Sequence, residues 1–205
     1  MRTLDLSTWP RRDHFHFFRQ FDEPFWGTTL RVDAAAAHAR SRMEGHSFFL
    51  YYLHKCLVAV NAVEAFRYRI RGEAVVIHDV IHASATVGRD DGSFDFSYMR
   101  FDPDFRVFQE EARAEVERIR NGSGLNPEVA GDDVIHFSAL PWLEFTGLSH
   151  ARHYGAADSC PKISVGRLSD HAGRYGMPVS VHVHHALVDG RHVGDFMEVF
   201  QREMA

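Results

Sequence analysis

Several features that would place this chain of 205 residues in a special class of protein are scarce or absent. Only two cysteines occur, Cys56 and Cys160, and they form no CxxC pair, so we expect reduced thiols instead of a disulfide framework. No apolar run approaches the 18 residues of a membrane-spanning helix, and the first residues contain no signal-like apolar stretch. These absences predict a soluble, cytoplasmic protein that has no membrane partner.

Positive charge is also limited, because the formal net charge is −5 and the lysines and arginines form no stripe. This argues against nucleic acid and anionic membrane surfaces as partners. The chain lacks an HExxH motif, and no metal site is expected. The 15 histidines, two of which (His182 and His184) share a face of one predicted strand, nevertheless leave a metal site as an alternative.

The composition is that of an ordinary globular protein, with 45% hydrophobic and 13% aromatic residues. It predicts one domain over residues 1–205 with a full-sized core, since no repeat, low-complexity tract or linker interrupts the chain. Hydrophobic periodicity and turn residues predict strands at 25–32, 66–70, 74–78, 85–88, 94–101, 134–140, 162–168 and 177–185, and helices at 34–43, from 47 onwards, from 103 to 120 and after 190.

The segment Val181–Gly190 contains the string H-H-x-x-x-D-G. The preceding valines alternate with polar residues, which predicts a strand with one buried face, and His185 has the parity of the valines. Apolar residues recur at helical spacing after Gly190, so Asp189 marks the corner between a strand and a helix. An imidazole at such a corner suits proton chemistry. Taken alone, however, a strand histidine is more often a hydrogen-bonded core residue.

Three strings together resemble the chloramphenicol acetyltransferase family, which belongs to the wider group of CoA-dependent acyltransferases. Trp9-Pro-Arg-Arg-Asp-His-Phe15 resembles the family's W-x-R-[RK]-E-H-F, and Ser138-Ala-Leu-Pro-Trp142 resembles its S-A-x-P-W. The third string, His185–Gly194, matches the family pattern nearly throughout. The similarity extends from about Trp9 to the end of the chain.

The resemblance implies an α+β fold: a two-layer sandwich in which a mixed, mostly antiparallel sheet has helices packed on one side. It implies an O-acetyltransferase that uses acetyl-CoA without a metal, with His185 as general base and Ser138 as the donor to the oxyanion. Asp189 is expected to form a structural ion pair with Arg11 and not to act on His185. A homotrimer is implied, with active sites at subunit interfaces.

The resemblance also places acceptor-binding residues. Phe17, Phe18 and Trp26 are expected to form its apolar wall, and Phe96 to cover an aromatic ring, although plain core roles are an alternative for these side chains. Departures from the family pattern concern the same pocket: His136 replaces an asparagine, Leu125 an aromatic residue, His150 an apolar residue and Ser164 a threonine.

The trimer model assigns His185 to one subunit, and Phe17, Phe18, Phe96 and Ser138 largely to its neighbour. The acceptor is expected to be a small hydroxylated molecule, with chloramphenicol, and hence antibiotic inactivation, as one candidate. A different acceptor, or a catalytically silent binding protein on the same fold, remains the alternative.

Overall fold

A mixed β-sheet with helices packed against it forms the frame of the molecule. The computed structural model describes residues 1–126, 131–152 and 157–205. The helices are α1 (Arg12–Phe18), α2 (Ala35–Met43), α3 (Phe48–Ala62), α4 (Phe105–Arg120) and α5 (Gly190–Met204), with a 3₁₀ turn at Glu64–Arg67. The strands are β1 (Arg2–Thr3), β2 (Phe25–Asp33), β3 (Tyr68–Arg71), β4 (Ala74–Ile77), β5 (His82–Gly88), β6 (Phe94–Phe96), β7 (Val134–Ala139), β8 (Lys162–Val165), β9 (Ser169–His171) and β10 (Arg174–His184).

The main sheet has the strand order β2-β10-β8-β7-β5-β6, and β9 pairs with β10 as a hairpin. Only the β5–β7 and β7–β8 pairs are parallel, whereas the other pairs are antiparallel. The predicted α+β class with a mixed, mostly antiparallel sheet is therefore confirmed. A separate three-stranded sheet, β1-β4-β3, contains the predicted hairpin around Gly72, and its third strand was not predicted.

The core lies between the main sheet and the helices. Alternate residues of β10, Val179, Val181 and Val183, are fully buried in the same cluster as Phe196 and Phe200 of α5. Helix α3 is apolar nearly all round and packs on both α5 and the sheet, as a buried helix does. No helix in the described ranges combines the length and apolarity needed to cross a membrane.

Strand β10 is buried on both faces, so the expectation of one buried face is wrong. Ser180, on the face away from the valines, is fully buried, and His184 is only 6% exposed. The reason is that β10 is a central strand, paired with β2 on one edge and β8 on the other, while His150 packs over its polar face. His185 follows the last residue of β10 and begins the turn into α5.

Candidate active site

The corner between β10 and α5 is held by the side chain of Asp189. Its Oδ1 atom accepts hydrogen bonds from the backbone N–H groups of Arg191 and His192, at 3.0 and 3.4 Å, and thereby caps α5. Its Oδ2 atom forms an ion pair with Arg11. The same guanidinium donates to the carbonyl oxygen of His185 at 3.1 Å. The ion pair implied by the resemblance is present, and it fixes the backbone on which the His185 ring is carried.

Aromatic packing fixes the ring of His185. Phe18 stacks on it with 3.9 Å between ring centroids and an interplanar angle of 17°, and Trp26 lies 5.7 Å away. The His185 backbone N–H donates to Pro24 at 2.8 Å, and Trp26 donates to the carbonyl of Val188 at 3.1 Å. Nδ1 of His185 is buried and has no hydrogen-bond partner within the described ranges. The imidazole is thus oriented by packing and by backbone contacts, and no carboxylate of residues 1–126, 131–152 or 157–205 bonds to its Nδ1 atom.

Phe18 reaches His185 of its own chain, so the expectation that it serves mainly a neighbouring subunit is wrong. The physical reason is that Arg11, which pairs with Asp189, immediately precedes α1 and holds that helix against the corner. Phe17 lies 5.0 Å from Phe18 between ring centroids and leaves 59% of its own surface exposed. It therefore extends the aromatic surface outward from His185.

Ser138 lies on the face of the main sheet that is turned away from the core. The strand register places it opposite Ser164 of β8, which in turn lies opposite Ser180 of β10. A parallel row consists of His136, Lys162 and His182. We call these two rows the polar face. The hydroxyl of Ser164 is buried without a hydrogen-bond partner in the described part of the chain, which leaves a donor and acceptor group available on this face.

The histidines on and around the polar face are held in the neutral form. Burial lowers the pKa of His136 and of His184 to about 4. Burial, together with the neighbouring His182 ring, lowers the pKa of His150 to about 4 as well, and the His150 and His182 rings lie 4.8 Å apart. These imidazoles therefore offer hydrogen-bonding groups without charge near neutral pH.

Phe96 and Leu125 lie toward the opposite edge of the sheet from His185. Phe96 pairs with Thr86 of β5, the strand beside β7, so its side chain is on the face that carries Ser138. Leu125 is 58% exposed on a loop anchored by Asn126, whose backbone and side chain both donate to the buried carboxylate of Asp95, at 2.7 and 2.9 Å. This carboxylate also pairs with Arg89.

The structure consequently divides the predicted site residues into two sets that are far apart within one chain. Ser138 and His185 are two strand spacings apart across the sheet and five residues apart along β10, since Ser138 is level with Ser180. With about 4.8 Å per strand and 3.3 Å per residue, their Cα atoms are roughly 19 Å apart. The first set is His185, Arg11, Asp189, Phe17, Phe18 and Trp26; the second is Ser138, His136, His150, Ser164, Phe96 and Leu125.

A cavity of about 580 Å³ lies between the sheet and helices α3 and α4, and it was not predicted from the sequence. Ala139 lines it, whereas no residue of the second set does. The cavity lies where β5, β7 and β8 end, beside Gly88, Ala139 and Gly166. Arg113 and Arg120 of α4 also line it, together with Trp142, which is 75% exposed. The signal available in the sequence was Trp142, a large apolar residue four positions after Ser138, but the contribution of α4 depends on tertiary packing alone.

Comparison with known proteins identifies the family. The family model described as chloramphenicol acetyltransferase matches residues 1–201. A chloramphenicol acetyltransferase from Streptomyces acrimycini is 29% identical over 205 residues, which covers 98% of this chain and 93% of the relative. One from a Klebsiella species is 27% identical over 203 residues, covering 98% and 92%.

Solved structures of acetyltransferases share the fold of this chain. A chloramphenicol acetyltransferase superposes with a TM-score of 0.92 at 29% identity, covering 100% of this chain and 99% of the other. A dihydrolipoamide acetyltransferase from Azotobacter vinelandii has a TM-score of 0.69 at 15% identity, covering 94% and 86%, and shares the fold. From the family match over nearly the whole length, this chain belongs to the chloramphenicol acetyltransferase family of acyltransferases.

Proposed function

We propose that the protein transfers the acetyl group of acetyl-CoA to a hydroxyl group of a small molecule, with His185 as the general base. The observation that carries this proposal is the fixation of the His185 ring between Phe18 and the Arg11–Asp189 pair. A free alcohol is a poor nucleophile at neutral pH, and a positioned imidazole removes its proton as it attacks. Because Nδ1 is buried, Nε2 is the nitrogen that meets the acceptor.

The proposed reaction is balanced without a covalent enzyme intermediate. The acceptor oxygen attacks the thioester carbonyl while Nε2 of His185 takes the hydroxyl proton. The Ser138 hydroxyl donates a hydrogen bond to the resulting oxyanion. The carbon–sulfur bond then breaks, and the protonated His185 returns its proton to the CoA sulfur. The products are an acetyl ester and CoA thiol. Holding both substrates together supplies much of the rate, and one such oxyanion donor accounts for about 3–4 kcal/mol of the barrier.

We propose that each site is built from two copies of the chain, in a homotrimer. This is supported by the separation of roughly 19 Å between Ser138 and His185 in one protomer, which is too far for both to reach one carbonyl group. If the His185 set of one copy faces the Ser138 set of the next, the interface is head-to-tail, and it closes into a three-membered ring when successive copies are related by a rotation of 120°. The exposed Phe17 and Leu125 are apolar surface that this contact would cover.

The acceptor pocket in this arrangement has aromatic walls from one copy and neutral polar groups from the other. Phe17, Phe18 and Trp26 supply apolar surface beside the base. His136, His150 and Ser164 supply uncharged hydrogen-bonding groups, and Phe96 and Leu125 would complete the apolar lining. This combination suits an uncharged molecule with an aromatic or apolar body and hydroxyl groups, and chloramphenicol is one such molecule.

We propose that the cavity beside Trp142 receives acetyl-CoA. The cavity is lined by Ala139, the residue after Ser138, so a thioester bound there would lie one residue along β7 from the proposed oxyanion donor, whose side chain is on the opposite face of the strand. Arg113 and Arg120 supply positive charge for the phosphate groups of CoA. The acetyl donor and the acceptor would then approach Ser138 and His185 from different directions.

The test is the release of free thiol from acetyl-CoA, followed with a chromogenic disulfide, with chloramphenicol and a panel of other alcohols as acceptors. We expect His185→Gln to abolish acceptor-dependent release, and Ser138→Ala to lower kcat by about 10²–10³-fold. The control is His16→Gln, a change at an exposed histidine of α1, which should retain full activity. Thiol release that persists without His185 contradicts the base assignment, and acceptor binding without any release would indicate a silent binding protein.

A further inference from the structure

A second cluster of reactive side chains lies at the start of β8, next to the polar face. It consists of His136 on β7 and of Asp158 and Cys160 in the segment that leads into β8. One ligand atom from each residue (an imidazole nitrogen, a carboxylate oxygen and the thiol sulfur) lies within 4.8 Å of the other two. We propose that these three residues form a binding site for a divalent ion of the zinc class.

Strand pairing builds the cluster and holds it in place. His136 lies opposite Lys162 in the parallel β7–β8 pair, and its backbone N–H donates to the carbonyl of Pro161 at 2.9 Å. The Asp158 carboxylate accepts from the backbone N–H of Cys160 at 2.9 Å, which holds that carboxylate against the backbone of Cys160. The cluster is therefore assembled by the sheet without any ligand-spacing motif in the sequence, which explains why no metal site was expected.

The three donor types define the class of ion. An imidazole nitrogen, a carboxylate oxygen and a thiolate sulfur are all ligands of Zn²⁺, with bonds of about 2.0–2.3 Å. Donors in a tetrahedral zinc site are about 3.4–3.8 Å apart, so small side-chain rotations suffice to close the present cluster around an ion. Calcium and magnesium prefer oxygen-only sites, and the thiolate and imidazole favour Zn²⁺, Co²⁺ or Cd²⁺ instead.

Lys162 now supplies the positive charge beside Asp158 that a bound ion would supply. Its ammonium group pairs with Asp158, donates a hydrogen bond to the Cys160 carbonyl at 3.3 Å, and lies 4.8 Å from the centre of the Phe25 ring. A bound divalent ion, with loss of the thiol proton, adds one positive charge beside this ammonium. Lys162 therefore competes with the ion for Asp158, and its removal should tighten binding.

Cobalt(II) is the probe that separates this site from ordinary binding to the many other histidines. A Co²⁺–thiolate bond gives a near-ultraviolet charge-transfer band, whereas histidine and carboxylate ligands alone do not. We expect one Co²⁺ per chain with this band, and its displacement by Zn²⁺. The band should vanish in Cys160→Ser and persist in Cys56→Ser, the matched change at the other buried cysteine. His136→Asn should weaken binding by at least about tenfold.

Two further variants keep the proposal falsifiable if Cys160→Ser folds poorly. Asp158→Asn should weaken Co²⁺ binding while it leaves the thiol in place, and Lys162→Met should tighten binding severalfold. Circular dichroism checks the fold of each variant. The proposal is overturned if the unmodified protein shows no charge-transfer band or if the band survives in Cys160→Ser. It is also overturned if neither Asp158→Asn nor Lys162→Met changes Co²⁺ binding. These readouts do not depend on the acetyltransferase activity.

Discussion

His54 is a buried histidine that lies in apolar surroundings. His54 of α3 is 2% exposed and lies among the rings of Phe101, Phe105 and Phe108. Its Nε2 atom bonds to the carbonyl oxygen of Asp102 at 2.9 Å, while Nδ1 has no hydrogen-bond partner within the described ranges. Burial lowers the pKa of His54, because the charged imidazole would lose its hydration in this pocket.

The lowered pKa of His54 predicts that the protein loses stability in mild acid. The unfolded chain binds this proton near pH 6.5, whereas the folded chain resists it, so the free energy of unfolding falls as the pH drops below that value toward the folded pKa. One such group lowers the free energy of unfolding by up to about 1.4 kcal/mol for each pH unit below that value. Urea unfolding between pH 7.5 and 5 should show a shallower decline for His54→Gln than for the unmodified protein.

The exposed His16 provides the matched control for this experiment, since His16→Gln removes a histidine without changing a buried environment. The free energy of unfolding of His16→Gln should vary with pH as it does in the unmodified protein. If the free energy of unfolding falls equally steeply with pH in His54→Gln and in the unmodified protein, His54 does not contribute to the loss of stability in acid.

At the scale of elements, the loop after β7 is packed tightly onto β8 and β10 at Gly166. The backbone N–H of Arg167 donates to the carbonyl of Leu143 at 2.7 Å, and that of Gly166 donates to Pro178 at 2.9 Å. A Cβ atom on Gly166 would lie 2.6 Å from the Pro178 ring, 2.7 Å from the Leu143 carbonyl oxygen and 2.8 Å from Phe145. The loop that carries Trp142 can adopt this position only because residue 166 has no side chain.

Gly166→Ala is therefore expected to destabilise the protein by about 1–3 kcal/mol, the usual range for an overpacked position. It should also raise KM for acetyl-CoA if the cavity lined by Gly166 and Trp142 binds CoA. Gly147→Ala is the control on the same loop, because a Cβ atom there meets nothing within 4 Å. Thermal unfolding and steady-state kinetics distinguish the two variants, and equal unfolding temperatures for both would contradict the packing argument.

Local sequence signals predicted most elements because those elements carry their own boundaries. Helix α3 begins after Ser47, whose hydroxyl accepts from the N–H of Leu50, and α4 begins after Asp104, which caps it in the same way. The strand predicted at 94–101 is shorter, ending at Phe96. Beyond it the hydroxyl of Ser97 bonds to both the N–H and the carbonyl of Ala85, and pairing with β5 continues as a separate antiparallel bridge between Met99 and Ala83.

The candidate site was predictable only where a motif named its residues. The corner at His185 was predicted from one contiguous string of the sequence, and the Arg11–Asp189 pair was implied by the family resemblance of two such strings. The row formed by Ser138, Ser164 and Ser180 depends on which strands become neighbours, and this is decided by the packing of the whole sheet. The sequence parity of each strand alone does not reveal that register.

At the scale of the whole molecule, the proposed trimer predicts that two inactive variants restore activity when their subunits are mixed. A His185→Gln subunit retains Ser138, and a Ser138→Ala subunit retains His185. An interface to which the first contributes Ser138 and the second contributes His185 therefore contains both groups. Random assembly of equal amounts should leave about a quarter of the sites intact, because each site draws its two halves independently from the mixture.

The measurement is thiol release after the two variants are unfolded together and refolded, compared with the same variants refolded separately and then combined. Recovery to about a quarter of the unmodified rate is expected only for the co-refolded sample. If the two groups acted within one chain, neither sample would regain activity, and the two-copy site would be rejected.

The pairing of β2 with β10 has a consequence for how the chain is made. Phe25 pairs with His184, so β2 finds its partner only after the chain has been synthesised as far as β10. Contacts of such long sequence separation form late and slowly. A nascent chain lacking β10 would expose the edges of both β2 and β8, which are templates for unwanted association. Productive folding should therefore depend on synthesis through β10, with chaperone protection of β2 and β8 until that strand is available.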